Sequence, residues 1–327
     1  MAAYSPVKNF CSNNTFDKSI INNKIMSRSP DIVGHRGHYK TLENSLIGFK
    51  KCIDLNLSMI ELDIWLTKDK IPVVIHTNEE TNCISETAFG HGKVNSFNLI
   101  DIKKINLLGD YSEEKIPTLE EVLDLCDGKI KVNIEFKEKE NKKEIIDAVL
   151  NIIKTKYIKE DNVLFSSFMH EYFDILRSRN KNIEFKFIAE TEEEIKSIII
   201  KNSDIVKSKI SIKNCSSDMS LDTNYSNSTS SFYSDKSNNI EKNLSTNELA
   251  DDLEIKHSKT SVCIASNLIN ENIVKYFNSN NQKVSTFLTP NPEVDKEIVK
   301  NLINYGVQEL IVNDPLKTKN IIESLLI

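Results

Sequence analysis

Hydrophobic and polar positions along this chain follow a repeating order. A short run of β-branched and aliphatic residues is followed by a longer stretch with apolar residues every three or four positions. The short runs predict strands at residues 32–35, 59–64, 73–76, 131–136, 163–167, 184–188, 283–288 and 309–312. A ninth run, 261–265, is short and reads as accessory. Between the runs lie helical stripes: Leu46, Phe49 and Ile53; Ile145, Val149 and Ile152; Val294, Ile298 and Leu302. Thr118 with Glu121 and Thr191 with Glu194 have capping-box spacing, and Gly306 is placed as a helix stop. This alternation predicts an α/β protein with a parallel sheet under helices, and eight repeats predict a closed (β/α)8 TIM barrel.

Two stretches break the rhythm. Residues 1–29 are polar and read as a flexible leader without the hydrophobic segment of a secretory signal. Residues 207–258 are rich in Ser, Asn, Asp and Lys, with too few apolar side chains to offset ordering entropy, and read as a disordered low-complexity insertion. The barrel domain is therefore expected at 30–206 and 259–327, with a small capping insertion at 77–115 after the third predicted strand. Roughly 240 residues remain for it, against about 250 in a typical barrel of this kind.

Composition narrows the class further. With 39% hydrophobic and 28% charged residues, the 327-residue chain is an ordinary globular protein. A formal net charge of −6 argues against a nucleic-acid partner. No apolar stretch approaches the roughly 20 residues that span a bilayer, so no stable membrane anchor and a cytoplasmic location are expected. Cys11, Cys52, Cys83, Cys126, Cys215 and Cys263 lack CxxC spacing and predict reduced thiols rather than a zinc site or a disulfide framework. The pattern sets no oligomeric state.

The candidate chemistry is concentrated at residues 32–76, which hold a Gly34-His35-Arg36-Gly37 turn, the pair Glu61 and Asp63, and an apolar run ending at His76. Alternation puts Glu61 and Asp63 on one strand face and Leu62 and Ile64 on the other. Like charges that close stay ionised only with a divalent ion or a basic group between them, so the pair is a candidate cation seat; the alternative is an exposed acidic strand face. The linker 67–70 is too short for a crossover helix, and either a hairpin or a helix-less crossover brings His76 near both carboxylates. Two histidines, two carboxylates and an arginine are the components of metal-assisted phosphodiester cleavage. Glu135 and Lys137 share a strand face with Asn133, at the end where barrel sites are built. Glu43 and Asn44 fall in the loop after the first strand, where Asn44 orients a neighbour or the substrate, or caps the next helix.

In order and spacing, His35-Arg36-Gly37, Glu43-Asn44, Glu61 and Asp63, Thr67-Lys68-Asp69 and His76 resemble the glycerophosphodiester phosphodiesterase family. So do Ile116-Pro117-Thr118-Leu119-Glu120-Glu121, Ile134-Glu135-Phe136-Lys137 and Ser167-Phe168. The resemblance covers most of residues 31–205 and, more weakly, 284–316. It implies a single divalent cation, Mg or Ca, held by Glu61, Asp63 and Glu135. It also implies His35 and His76 as acid and base, with Arg36 and Lys137 on the phosphate. The implied reaction is hydrolysis of a small-molecule glycerophosphodiester, such as glycerophosphocholine or glycerophosphoethanolamine, to glycerol 3-phosphate and an alcohol. Which histidine is the acid, and whether water or a substrate hydroxyl attacks, stay open at this point.

Two positions depart from the family pattern. Thr77 stands where an Asp usually follows the second histidine, and Phe287 or Leu288 replaces a tryptophan that faces the substrate. Asn313-Asp314-Pro315 matches the family's closing segment in part, with Asp314 either lining the pocket or capping the last helix. His38 and His91 have no assigned role. Two other readings compete: a phospholipase of the phosphatidylinositol-specific or sphingomyelinase D type, and a catalytically silent barrel that binds phosphodiesters.

Overall fold

The computed structural model describes residues 29–38, 40–78, 81–109, 113–180, 182–201, 260–288 and 294–326. The predicted leader, up to residue 28, and the predicted insertion at 207–258 lie outside them. Nine strands form among the described residues: β1 (Asp31–His35), β2 (Met59–Leu66), β3 (Pro72–Val74), β4 (Lys131–Phe136), β5 (Val163–Ser167), β6 (Phe185–Ala189), β7 (Thr260–Ala265), β8 (Lys283–Phe287) and β9 (Glu309–Val312). All except β3 pair in parallel, and the β1–β2 and β1–β9 pairings close them into a ring. This is the (β/α)8 barrel expected from the alternation.

Two of the strand expectations trade places. The run at 73–76 is not a barrel strand, because β3 pairs antiparallel with β2 in the register Ile64↔Val74 and Leu66↔Pro72. Of the hairpin and the helix-less crossover that the four-residue linker allowed, the hairpin is the one formed. The run at 261–265 is not accessory, because β7 pairs in parallel with β6 on one side and β8 on the other.

Helices return the chain between barrel strands: α1 (Leu46–Asp54), α2 (Leu119–Cys126), α3 (Lys142–Thr155), α4 (Glu171–Arg179), α5 (192–201), α6 (Glu271–Ser279), α7 (Lys296–Tyr305) and α8 (Pro315–Leu326). Their starts follow the sequence signals. The Thr118 hydroxyl accepts from the Glu121 amide at 3.1 Å while Glu121 accepts from the Thr118 amide at 2.8 Å, a closed capping box on α2. Gly306 ends α7 with φ +88°.

Strand alternation sorts the core. Leu62, Ile64, Val132, Ile134 and Phe136 point outward and pack under the helices, where Phe136 stacks on Phe165 and Tyr172. Each such side chain contributes about 1.5–3 kcal/mol by leaving water. Inside the barrel, Val33, Met59, Leu164, Ile188, Cys263 and Ile311 form an apolar plug. One step nearer the strands' N-terminal ends, Lys186 and Glu309 form a buried ion pair, and the Ser285 hydroxyl donates to Glu309 at 2.6 Å. Burial opposes both charges, but each partner outweighs it for the other, so the Glu309 carboxyl falls to about 2 and the Lys186 pKa rises.

The segment after β3 has a small core of its own. Ile84, Ala88, Val94, Ile102 and Leu107 pack on Trp65, Val73, Ile75 and the loop residue Leu42. Gly109, at φ +143°, lies so close to Leu42 that a β-carbon there would sit 2.1 Å from Leu42 Cδ2. This fastens the segment beside the loop that follows β1. No described helix is long and apolar enough to cross a membrane.

Candidate active site

The carboxyl ends of β1, β2 and β4 meet the loop after β1 at one rim of the barrel. The turn that ends β1 depends on two unusual backbone positions, Arg36 at φ +53° and Gly37 at φ +95°. A β-carbon on Gly37 would come within 3.1 Å of Gly48 backbone carbon, at the start of α1. The turn aims the Arg36 amide at Glu61 Oε2 (3.1 Å) and carries its side chain to Asp63 (Nε–Oδ2 3.1 Å) and Glu43 (Nη1–Oε2 3.2 Å).

Glu61, Asp63 and Glu135 each offer an oxygen such that all three atoms lie within 4.8 Å of one another, and all three residues are buried. The register Asp63↔Glu135 of β2 and β4 sets this convergence, and Glu61 lies two residues before Asp63 on the same face. Lys137 bridges Asp63 (3.5 Å) and Glu135 (2.6 Å). Burial, then the charges of Asp63 and Glu135, push the Glu61 pKa well above the usual carboxylate range. Burial also raises Glu135. At Asp63 burial acts in the same direction, but Arg36 and Lys137 outweigh it and hold the carboxyl well below the usual range.

These groups fit a bound cation. Glu61 Oε1 is buried with no hydrogen-bond partner among the described residues, a costly state that an oxygen-seeking ion relieves. Arg36 and Lys137 leave the three carboxylates one positive charge short of balance. A divalent ion together with a singly charged phosphodiester makes the group neutral.

Asn44 locks the geometry. It is buried at φ +50°; its side-chain amide donates to Asp63 Oδ2 at 3.0 Å, and its oxygen accepts from the Asp63 amide at 3.3 Å. Asn44 thus contacts Asp63, and it is Ser45 that caps α1, by accepting from the Gly48 amide at 3.0 Å.

Each of the two histidines lies near a carboxylate of the site. His35 Nε2 lies 3.9 Å from Glu61, and its Nδ1 lies 2.6 Å from Asn313 Oδ1. Burial, and after it Arg36, push the His35 pKa down to about 4. His76 sits just beyond β3, with Nδ1 3.9 Å from Glu43 Oε1 and its carbonyl accepting from the Thr87 hydroxyl at 2.6 Å. Burial lowers its pKa as well. A cavity of about 630 Å³ opens on the His35 side, lined also by Arg36, His38, Lys40, Glu43 and Asn313. A second, of about 310 Å³, opens on the His76 side between Arg36, Glu43, Glu86 and Leu108.

The remaining candidates divide. Phe287 meets Phe168 edge to face at 6.2 Å inside the rim, and Lys137 Nζ lies 5.2 Å from the Phe168 ring. Leu288 instead packs on the outer core. Thr77 is buried, and the carboxylate that faces the His76 ring is that of Glu43. Asp314 caps α8 by accepting from the Lys317 amide at 3.0 Å, while its neighbour Asn313, which sequence reasoning did not single out, reaches His35. His38 is buried at the larger cavity, and His91 is exposed.

A closed parallel barrel with carboxylates, histidines and an arginine gathered at the carboxyl ends of its strands has the architecture of a barrel enzyme. The pattern of the glycerophosphoryl diester phosphodiesterase family matches residues 35–317, and the chain belongs to that family. A glycerophosphodiester phosphodiesterase of Caldanaerobacter subterraneus subsp. tengcongensis is 39% identical over 145 residues, 42% of this chain and 58% of that protein. Human glycerophosphodiester phosphodiesterase 1 is 33% identical over 101 residues, 29% of each chain. The chain thus spans less than two thirds of either relative. An Oleispira antarctica phosphodiesterase, solved in complex with the product sn-glycerol-3-phosphate, shares the fold with a TM-score of 0.63 at 20% identity, over 91% of this chain and 99% of that one. A Thermotoga maritima glycerophosphodiester phosphodiesterase gives 0.56 at 22% identity, over 90% and 99%.

Proposed function

We propose that this chain hydrolyses a glycerophosphodiester to glycerol 3-phosphate and an alcohol, at a site completed by one Mg or Ca ion. The observation that carries the reading is the convergence of Glu61, Asp63 and Glu135 within 4.8 Å, with His35 beside Glu61, in a chain of this family. Those three carboxylates would hold the ion, which supplies charge to offset the negative charge that gathers on the phosphoryl oxygens. Arg36 and Lys137 add to that charge from either side of Asp63.

The hydrogen bonds support an assignment of proton roles. Asn313 Oδ1 only accepts, so the neutral His35 ring carries its proton on Nδ1 and keeps a lone pair on Nε2, turned toward the carboxylates. His35 is then the base for the attacking oxygen. With His35 as the base, His76 is left as the acid for the leaving alcohol, and the Glu43 carboxylate 3.9 Å from its Nδ1 partly opposes the lowering of its pKa by burial. The charged and polar side chains that line both cavities favour a small-molecule substrate over a phospholipid.

Purified chain is incubated with glycerophosphoethanolamine and Mg or Ca, and the products are followed by phosphorus NMR. Glycerol 3-phosphate is the expected signal. Phosphoethanolamine, a cyclic phosphate as end product, or unchanged diester counts against the proposal.

A further inference from the structure

Beside the three carboxylates, one inward-facing polar side chain has no role in the chemistry so far. Asn133 lies on β4 two residues before Glu135, and the strand register pairs it with Glu61 of β2 on one side and Leu164 of β5 on the other. Val132, Ile134 and Phe136 take the outer face, so the Asn133 side chain points into the barrel. It is 1% exposed, and its Oδ1 is buried with no hydrogen-bond partner among the described residues. Glu61 Oε1, on the next strand, is in the same state. Leu164 belongs to the apolar plug, and Lys131, two residues earlier on the same strand face, is drawn off to Glu184 at 2.6 Å. The polar surroundings of Asn133 are therefore set by Glu61 and Glu135.

Neighbouring strands run about 4.8 Å apart, so register partners on one face stand side by side. Two acceptor oxygens placed this way cannot satisfy each other, and each is costly to leave unpaired. One cation relieves both. We propose that Asn133 supplies an uncharged oxygen to the ion that Glu61, Asp63 and Glu135 would hold. The inference rests on the phosphodiesterase reading and adds a residue to its ion seat. Hard divalent cations, calcium above all, accept amide carbonyls beside carboxylates. The amide is also neutral. It leaves intact the balance of three carboxylates and a singly charged phosphodiester against Arg36, Lys137 and a divalent ion, which a fourth carboxylate would upset.

The test titrates the ion-stripped full chain, Asn133→Leu and Asn133→Asp with Ca and with Mg by calorimetry, and melts each protein with and without the ion. Asn133→Leu is expected to weaken ion binding about tenfold to a hundredfold, the scale on which groups around a metal act. Its ion-induced rise in melting temperature shrinks, while its ion-free melting temperature stays near that of the wild type. Asn133→Asp keeps an oxygen in place and is expected to bind the ion at least as tightly as the wild type; it keeps the test decisive should Asn133→Leu fail to fold. A lower ion-free melting temperature in Asn133→Leu with wild-type ion affinity would show a structural amide and overturn the proposal. Ion binding in Asn133→Asp as weak as in Asn133→Leu would make the amide N–H donors the active part and overturn it too. In either case the hydrolase reading stands, whereas a wild type that binds neither ion overturns the ion seat itself.

Discussion

Asn44 holds a backbone conformation that few side chains adopt readily and uses it to bond both the amide and the carboxylate of Asp63. Truncation to Ala strands a buried charged acceptor, a loss of about 1.5–3 kcal/mol. Urea denaturation of Asn44→Ala is expected to show that fall together with reduced turnover; a wild-type midpoint would mean that Asp63 needs no such support. The proposed proton roles separate by leaving group. His35→Ala and His76→Ala are each expected to lower turnover of a glycerophosphodiester with an alkyl leaving group by about two orders of magnitude or more. With a p-nitrophenyl leaving group, which departs without a proton, His76→Ala should recover most of its loss and His35→Ala should not. Equal losses on both substrates would reverse or dissolve the assignment.

Among the elements, the floor of the barrel joins β6, β8 and β9 through Lys186, Ser285 and Glu309. Lys186→Met leaves Glu309 buried without its counter-charge and is expected to cost about 3–5 kcal/mol, whereas Lys186→Met combined with Glu309→Leu is close to neutral. The pH dependence has two limbs. The folded Glu309 pKa of about 2 lies below its ordinary 4.5, so its contribution is complete above 4.5 and is lost as pH falls toward 2. Lys186 is raised above its ordinary 10.5, so its contribution is complete below 10.5 and is lost as pH rises through the higher folded value. Melting temperature against pH should be flatter at both ends for the double variant, and parallel curves would deny the pair this role. No periodicity in the sequence announced it, because a Lys in one strand and a Glu 123 positions later meet only when the barrel closes. The same reason hid Asn313, which lies 278 residues from its partner His35. Short-range order was legible: Glu61 and Asp63 share a face by alternation, and the linker at 67–70 limited how His76 returns. The exchange of β3 and β7 arose because a buried apolar run reads alike in a parallel or antiparallel strand, and only pairing partners decide.

On the scale of the whole molecule, the buried carboxylates are a folding liability that the proposed cation would remove. Binding to the native state alone raises stability by about 2.7 kcal/mol at one hundred times the dissociation constant. Thermal unfolding of the chain is therefore expected to shift upward with added Mg or Ca and back with chelator, and Glu61→Gln should lose most of that shift; an ion-independent melting curve would argue that no such site forms. The most direct test of the central claim is turnover of glycerophosphoethanolamine against free divalent ion, starting from chelator-treated protein. The account predicts negligible glycerol 3-phosphate without the ion, restored along a single saturating curve by Mg or Ca in the wild type and not in Glu61→Gln. Full-rate release of glycerol 3-phosphate in the presence of excess chelator would contradict it.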